Sequence, residues 1–187
     1  AGSEDIAIYG SLQSTDGMFI VYGAIYSDIS NDRQGYIAKL DTAGTIIWEQ
    51  SHGGLKFESI YKIRELPSGE LISAGTVWTG PNESNGFLMK LNANGDSIWS
   101  KEYIKNDTAS NMFKDVQITQ DGGFIVTGQS NTDMWLVKTD SQGCETPNCL
   151  TGIKDPVAVD AFNINVYPNP FRENIEVSFT LNEKAAV

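Results

Sequence analysis

GYIAKLDTAGTIIWEQ, residues 35–50, is written again at 86–101 as GFLMKLNANGDSIWSK and begun a third time at 134–143 as MWLVKTDSQG. Each copy has an aromatic (Tyr36, Phe87, Trp135), a lysine (Lys39, Lys90, Lys138) and an Asp/Asn-x-x-Gly turn, at 41–44, 92–95 and 140–143. The lysines are spaced 51 and 48 residues apart. A period near fifty indicates a repeat architecture before any other reading.

A second element recurs ahead of each copy: STDGMFIVYG at 14–23, LPSGELISAG at 66–75 and TQDGGFIVTG at 119–128. A turn dipeptide (Asp16-Gly17, Ser68-Gly69, Asp121-Gly122) precedes an apolar run, and glycine supplies the positive φ such turns need. The glycines fall 52 and 53 residues apart, in step with the lysines. In the middle copy, strands are expected over about 60–65 and 70–77, then a polar loop, TGPNESN. Strands over 87–91 and 96–103 follow, joined at Asn94-Gly95. Four antiparallel strands in about fifty residues describe a β-propeller blade, which must stack on neighbours to bury its faces. The expected fold is all-β, a propeller-like array with about three blades visible, in units of roughly 1–53, 54–105 and 106–150. A β-sandwich with internal duplication is the alternative. Trp48 and Trp99, at matching places in the last strand, are expected to fill the space between blades. The third unit carries CETPNC where the others carry IIWEQ and SIWSK, so its final strand is expected to be missing. Residues 151–162 read as a linker, and 163–187 as two alternating strands around a Pro-Asn-Pro turn.

The charge balance is 13 basic against 24 acidic residues, a net −11. That argues against a nucleic-acid partner, which needs clustered Lys and Arg. No apolar run reaches the ~18 residues of a membrane-spanning helix. The chain opens at Ala1 without a charged-then-apolar leader and reads as a mature form or a fragment. Cys144 and Cys149 are the only cysteines. One such pair cannot form a four-ligand zinc site, so a local disulfide in an oxidising compartment is the reading. So short a loop contributes about 2 kcal/mol.

VYPNPFRENIEVSFTLNE, residues 166–183, resembles the opening third of the type A C-terminal sorting domain of the type IX secretion system of Bacteroidetes. Tyr167, Pro168, Asn169 and Pro170 carry that likeness. DGGFIVTG and WLVKTDSQGCETPNC resemble the secreted propeller-like repeat proteins that often bear such a domain. The resemblance implies the start of a small β-sandwich sorting domain over 163–187, export across both membranes by type IX secretion, and an extracellular or outer-surface location; the type IX machinery or an outer-membrane barrel is the expected partner. It also brings an O-glycosylation pattern, Asp-Ser/Thr-apolar, which makes Thr108, Thr42 and Ser97 candidate sites in that order. Ser97, at a strand start, is expected to be the least accessible.

Chemistry-bearing constellations are sparse. His52, the only histidine, reads as a loop residue. Asp16, Asp41, Asp121 and Asp140 read as turn formers. The lysine column reads as stems packed on a neighbouring blade. No metal site, cofactor or catalytic residue is assigned. The expectation is a non-catalytic interaction or structural protein with a surface protein or glycan as ligand. The alternatives are a polysaccharide-active enzyme with paired carboxylates, and a cargo or accessory subunit of an outer-membrane assembly.

Overall fold

The computed structural model describes residues 4–27, 32–53, 57–107, 109–145, 164–167 and 176–179. The chain divides into two units, Ala1–Cys149 and Leu150–Val187. No helix occurs among the described residues.

The first unit holds three antiparallel sheets built as meanders. The first comprises β1 (Glu4–Gln13), β2 (Phe19–Ser27), β3 (Asp32–Leu40) and β4 (Ile46–His52). The second comprises β5 (Phe57–Glu65), β6 (Leu71–Gly80), β7 (Glu83–Leu91) and β8 (Ser97–Tyr103). The third comprises β9 (Asn111–Ile118), β10 (Phe124–Ser130) and β11 (Asp133–Thr139), with no fourth strand among the described residues. In the second unit, β12 (Ile164–Tyr167) pairs antiparallel with β13 (Glu176–Phe179).

Five of the hairpin turns, and the turn that follows β11, are one turn repeated. In each, a glycine at positive φ (Gly17, Gly44, Gly69, Gly95, Gly122, Gly143; +73° to +86°) donates its N–H to the carbonyl three residues back. A side chain of the turn caps it. Asp41 Oδ1 accepts from the N–H groups of Ala43 and Thr45, and Asn92 and Asp140 do the same in their units. The turn-forming role read for the aspartates is therefore what these positions do. The expected TGPNESN loop does not exist as a loop. β6 and β7 run through it to a two-residue turn at Pro81 and Asn82, with Trp78 opposite Ser84 and Gly80 opposite Glu83. A polar stretch at a sheet end keeps its ladder because backbone pairing is indifferent to side-chain polarity there.

The sheets pack face to face. One core joins the first sheet (Ile20, Tyr22, Ile37, with Leu12 and Trp48) to the second (Ile60, Leu71, Phe87, Met89). Another joins the second (Ile72, Ala74, Leu88, with Trp99) to the third (Phe113, Val116, Phe124, Trp135). The middle sheet is thus covered on both sides, and β6 is buried without a break from Leu71 to Val77. Alternation is the mark of a half-buried strand and a continuous apolar run that of a doubly buried one. Each large side chain fully buried in this way contributes about 1.5–3 kcal/mol. Trp48 and Trp99 lie between sheets as expected.

Candidate functional site

The first strands of the three sheets share one irregularity. Each carries a β-bulge at the same place, with Tyr9, Tyr61 and Lys114 left out of the register. The partner strand answers with a glycine (Gly23, Gly75, Gly128). A Cβ there would stand 1.8–2.1 Å from the carbonyl oxygens of Ala7, Ser59 and Met112. The glycine closing VYG, SAG and VTG is therefore fixed by the bulge, since only a residue without Cβ admits the displaced backbone.

A bulge re-aims its side chain, and these three meet. The Tyr9 and Tyr61 rings stack at 5.4 Å with 20° between their planes. Lys114 Nζ sits 3.9 Å from the Tyr61 centroid. Arg33 donates through Nη2 to the Tyr9 hydroxyl, and its guanidinium lies 5.9 Å from the Tyr9 centroid and 5.5 Å from that of Trp78. Burial raises the Tyr61 phenol above its ordinary 10.0, with Tyr9 adding to the effect and Arg33 opposing it. Tyr9 remains 39% exposed and Lys114 is also exposed. The outcome is a row of two ring faces and two cations on a chain that is acidic overall. Such a row can hold an anion at its cations, with the edges of the stacked rings beside it.

The lysine column has a role beyond the stem packing read for it. Its ammonium heads pair within their own units: Lys39 with Asp16 at 2.6 Å, Lys90 with Glu70 and Lys138 with Asp121 at 2.8 Å. Where the middle unit has Ser68 in place of aspartate, Glu70 supplies the carboxylate two residues on. The Lys39 and Lys90 pairings, with hydrogen bonds, hold Asp16 and Glu70 below the ordinary carboxylate range. Asp121 is depressed by Lys138, Thr119 and Gly123. These carboxylates are ionised partners of lysines rather than protonated acids awaiting a substrate.

His52 departs from its expected loop. It ends β4, half-buried, and its Nε2 lies 2.9 Å from the carbonyl oxygen of Gly95 in the next sheet. Burial lowers its pKa below 6.5. Tyr103 occupies the same place in the second sheet and donates to the Gly143 carbonyl at 2.5 Å.

Cys144 is buried, is not a free thiol and accepts from Lys101 Nζ at 3.1 Å. Cys149 lies outside the described residues. So do Thr108 and the sorting-element residues Pro168, Asn169 and Pro170, while Tyr167 ends β12. Thr42 is exposed in its turn. Ser97 opens β8 and is exposed as well, since a strand start beside a turn leaves its outward side chain in water. Among the described expected sites of the first unit, Thr42, Ser97 and Cys144 belong to the repeats of three different sheets. The ladder, which does converge, went unread because its column holds Tyr, Tyr and Lys. The signal available was the invariant glycine opposite.

Among the described residues no group of three or more His, Cys, Asp or Glu side chains is placed to hold a metal ion. No described helix is long and apolar enough to cross a membrane. Neither protein-family models nor curated proteins give a match to the chain.

Proposed function

We propose that residues 1–150 are propeller-like blades of a secreted or cell-surface interaction protein, exported by type IX secretion. In this reading the bulge ladder contacts the ligand. The observation that carries it is the recurrence of one bulge in three repeats, each turning out a side chain that stacks on or caps the next. The ligand class is a polysaccharide bearing carboxylates: the carboxylates pair with Lys114 and Arg33, and the sugar rings lie along the outer edge of the stacked Tyr9–Tyr61 pair.

The test is a titration of the intact chain with polygalacturonate, with uncharged dextran alongside. Saturable polygalacturonate binding, weakened about tenfold by Tyr61→Ala with Lys114→Ala, is expected; that factor corresponds to about 1.4 kcal/mol. Absence of saturable binding, or binding that ignores the double substitution, removes the ladder as the contact surface. The export half is tested separately in the native host. Deleting residues 163–187 should retain the protein inside the cell. Material from the surface or medium should carry a hexose-type mass on Thr108, with Thr42 and Ser97 next. Unmodified Thr108 in that material removes the glycosylation reading.

A further inference from the structure

The sheets have two unlike faces, and the contact between them is built twice to one plan. On the face that β1–β4 and β5–β8 turn to the following sheet, a third-strand glycine makes a notch. A Cβ on Gly35 would come within 2.9 Å of Ile60, and one on Gly86 within 2.9 Å of Phe113. Beside the notch, the fourth-strand tryptophan lies over the turn glycine of the following sheet. Trp48 ring atoms approach to 2.6 Å of the Cβ position on Gly95, and those of Trp99 to 2.7 Å on Gly143. Four residues on comes a ring group at the same glycine's carbonyl, His52 at Gly95 and Tyr103 at Gly143.

The receiving face therefore offers a first-strand knob and a turn glycine. β1–β4 has this receiving set complete on its outer face, and both parts are open. Ile8 is the register partner of Gly23, as Ile60 is of Gly75 and Phe113 of Gly128. It is 49% exposed, where Ile60 and Phe113 are at 0%. Gly44 has φ +85° and nothing within 4 Å of its Cβ position. It is exposed, whereas Gly95 and Gly143 are buried. Phe19 is exposed on the same face, and a cavity of about 390 Å³ lies between Ile6, Ile25, Tyr36 and Glu49. The third sheet cannot fill this face from a second copy of the chain. Met134, 86% exposed, stands where the notch glycine would be, and no tryptophan-bearing strand follows β11 among the described residues.

We propose that the outer face of β1–β4 is a docking site for a further four-stranded unit of this repeat, seated with its fourth-strand tryptophan on Gly44. The occupant's signature is a glycine in its third strand and Trp-x-x-x-His/Tyr in its fourth. The interface continues the two already formed, which is why its chemistry can be specified residue by residue.

Amide exchange at the three turn glycines tests this with an internal standard. Gly44, Gly95 and Gly143 donate in the same local bond, at 3.0, 3.1 and 3.1 Å, so rate differences among them report what covers the turn. The full chain is compared with the full chain extended ahead of Glu4 by a duplicate of residues 57–110, and separately by a duplicate of residues 4–56. In the unextended chain Gly44 should exchange fastest. Extension should slow Gly44 by at least about tenfold, towards the other two. Replacing the duplicated Trp99 or Trp48 by Ala should return most of that factor. An unchanged Gly44 rate with both extensions overturns the proposal. So does protection of Gly44 in the unextended chain that rises with protein concentration, which would make a second copy the occupant.

Discussion

Replacing Gly75 with alanine tests the bulge most directly. The new Cβ would stand 2.1 Å from the Ser59 carbonyl oxygen and 2.5 and 2.7 Å from two ring atoms of Phe87. An ordinary carbon–oxygen approach is about 3.3 Å, so the shortfall against backbone alone is about 1.2 Å. Neither wall yields easily. The carbonyl belongs to a strand paired with β6 on that side, and Phe87 is 4% exposed in the core between the first two sheets. Relief requires β5 to move away or the bulge to be lost, and losing it slips the register of Ile60 and shifts Tyr61 from the ladder. Overpacking of this kind costs about 3 kcal/mol, and each ladder hydrogen bond lost adds about 1 kcal/mol. The total is about 3–5 kcal/mol. Gly17→Ala is the control. Its φ is +86° but nothing lies within 4 Å, so its cost is the left-handed backbone alone, about 1–2 kcal/mol. At about 2–4 °C per kcal/mol for a chain of this size, Gly75→Ala lowers Tm by about 6–20 °C and Gly17→Ala by about 2–8 °C. Urea unfolding followed by tryptophan fluorescence gives both free energies. A Gly75→Ala variant no less stable than Gly17→Ala would refute the steric account of the bulge glycine.

Three further outcomes follow from other contacts. Burial holds His52 below 6.5, so the fold favours its neutral ring; its stabilising contribution is complete above pH 6.5 and declines as pH falls through the lower folded value. His52→Phe should flatten the fall in stability as pH drops below 6.5, and an identical pH profile in the variant would contradict this. Asn111, 1% exposed, donates through Nδ2 to the carbonyls of Ser84, Asn106 and Ala109 and accepts from Ser130 through Oδ1. Asn111→Asp turns that donor into an acceptor facing carbonyls and should cost about 3 kcal/mol or more in urea titrations at pH 7, with a loss below 1 kcal/mol counting against it. Finally, Cys144 and Cys149 should be joined, making the intact non-reduced mass two hydrogens lighter than the reduced one; two thiols that alkylate without reductant would remove the bond.

Much of the architecture was legible because it rests on turns. A glycine at positive φ and an Asp, Asn or Ser cap leave a mark in the sequence whatever the neighbours are, and six such marks at two phases of one period placed the hairpins. Contacts between units left fainter marks. His52 and Tyr103 share a task, a ring polar atom at a glycine carbonyl, but share no residue type, so His52 read as a loop residue. The lysine partners slide from Asp16 to Glu70 and back to Asp121, because a flexible ammonium reaches either turn position. The ladder was hidden for the same reason, since a bulge fixes where a side chain points and leaves its chemistry free.

In all three sheets of the first unit, every strand is laddered only to its neighbours in the chain. This has a kinetic meaning. Each hairpin closes across a short turn, an event of about 1–10 μs, without waiting for any distant segment. A lone meander is marginal, however, until a second sheet covers its face. The barrier to folding then belongs to the meeting of finished sheets, across a sequence separation of about one period. Turn substitutions such as Gly69→Ala, in hairpins formed before that meeting, should act mainly by slowing refolding, whereas truncations in the cores between sheets, such as Leu88→Ala, should divide their effect between slower refolding and faster unfolding. A chain organised in this way gains its secondary structure early and its commitment late.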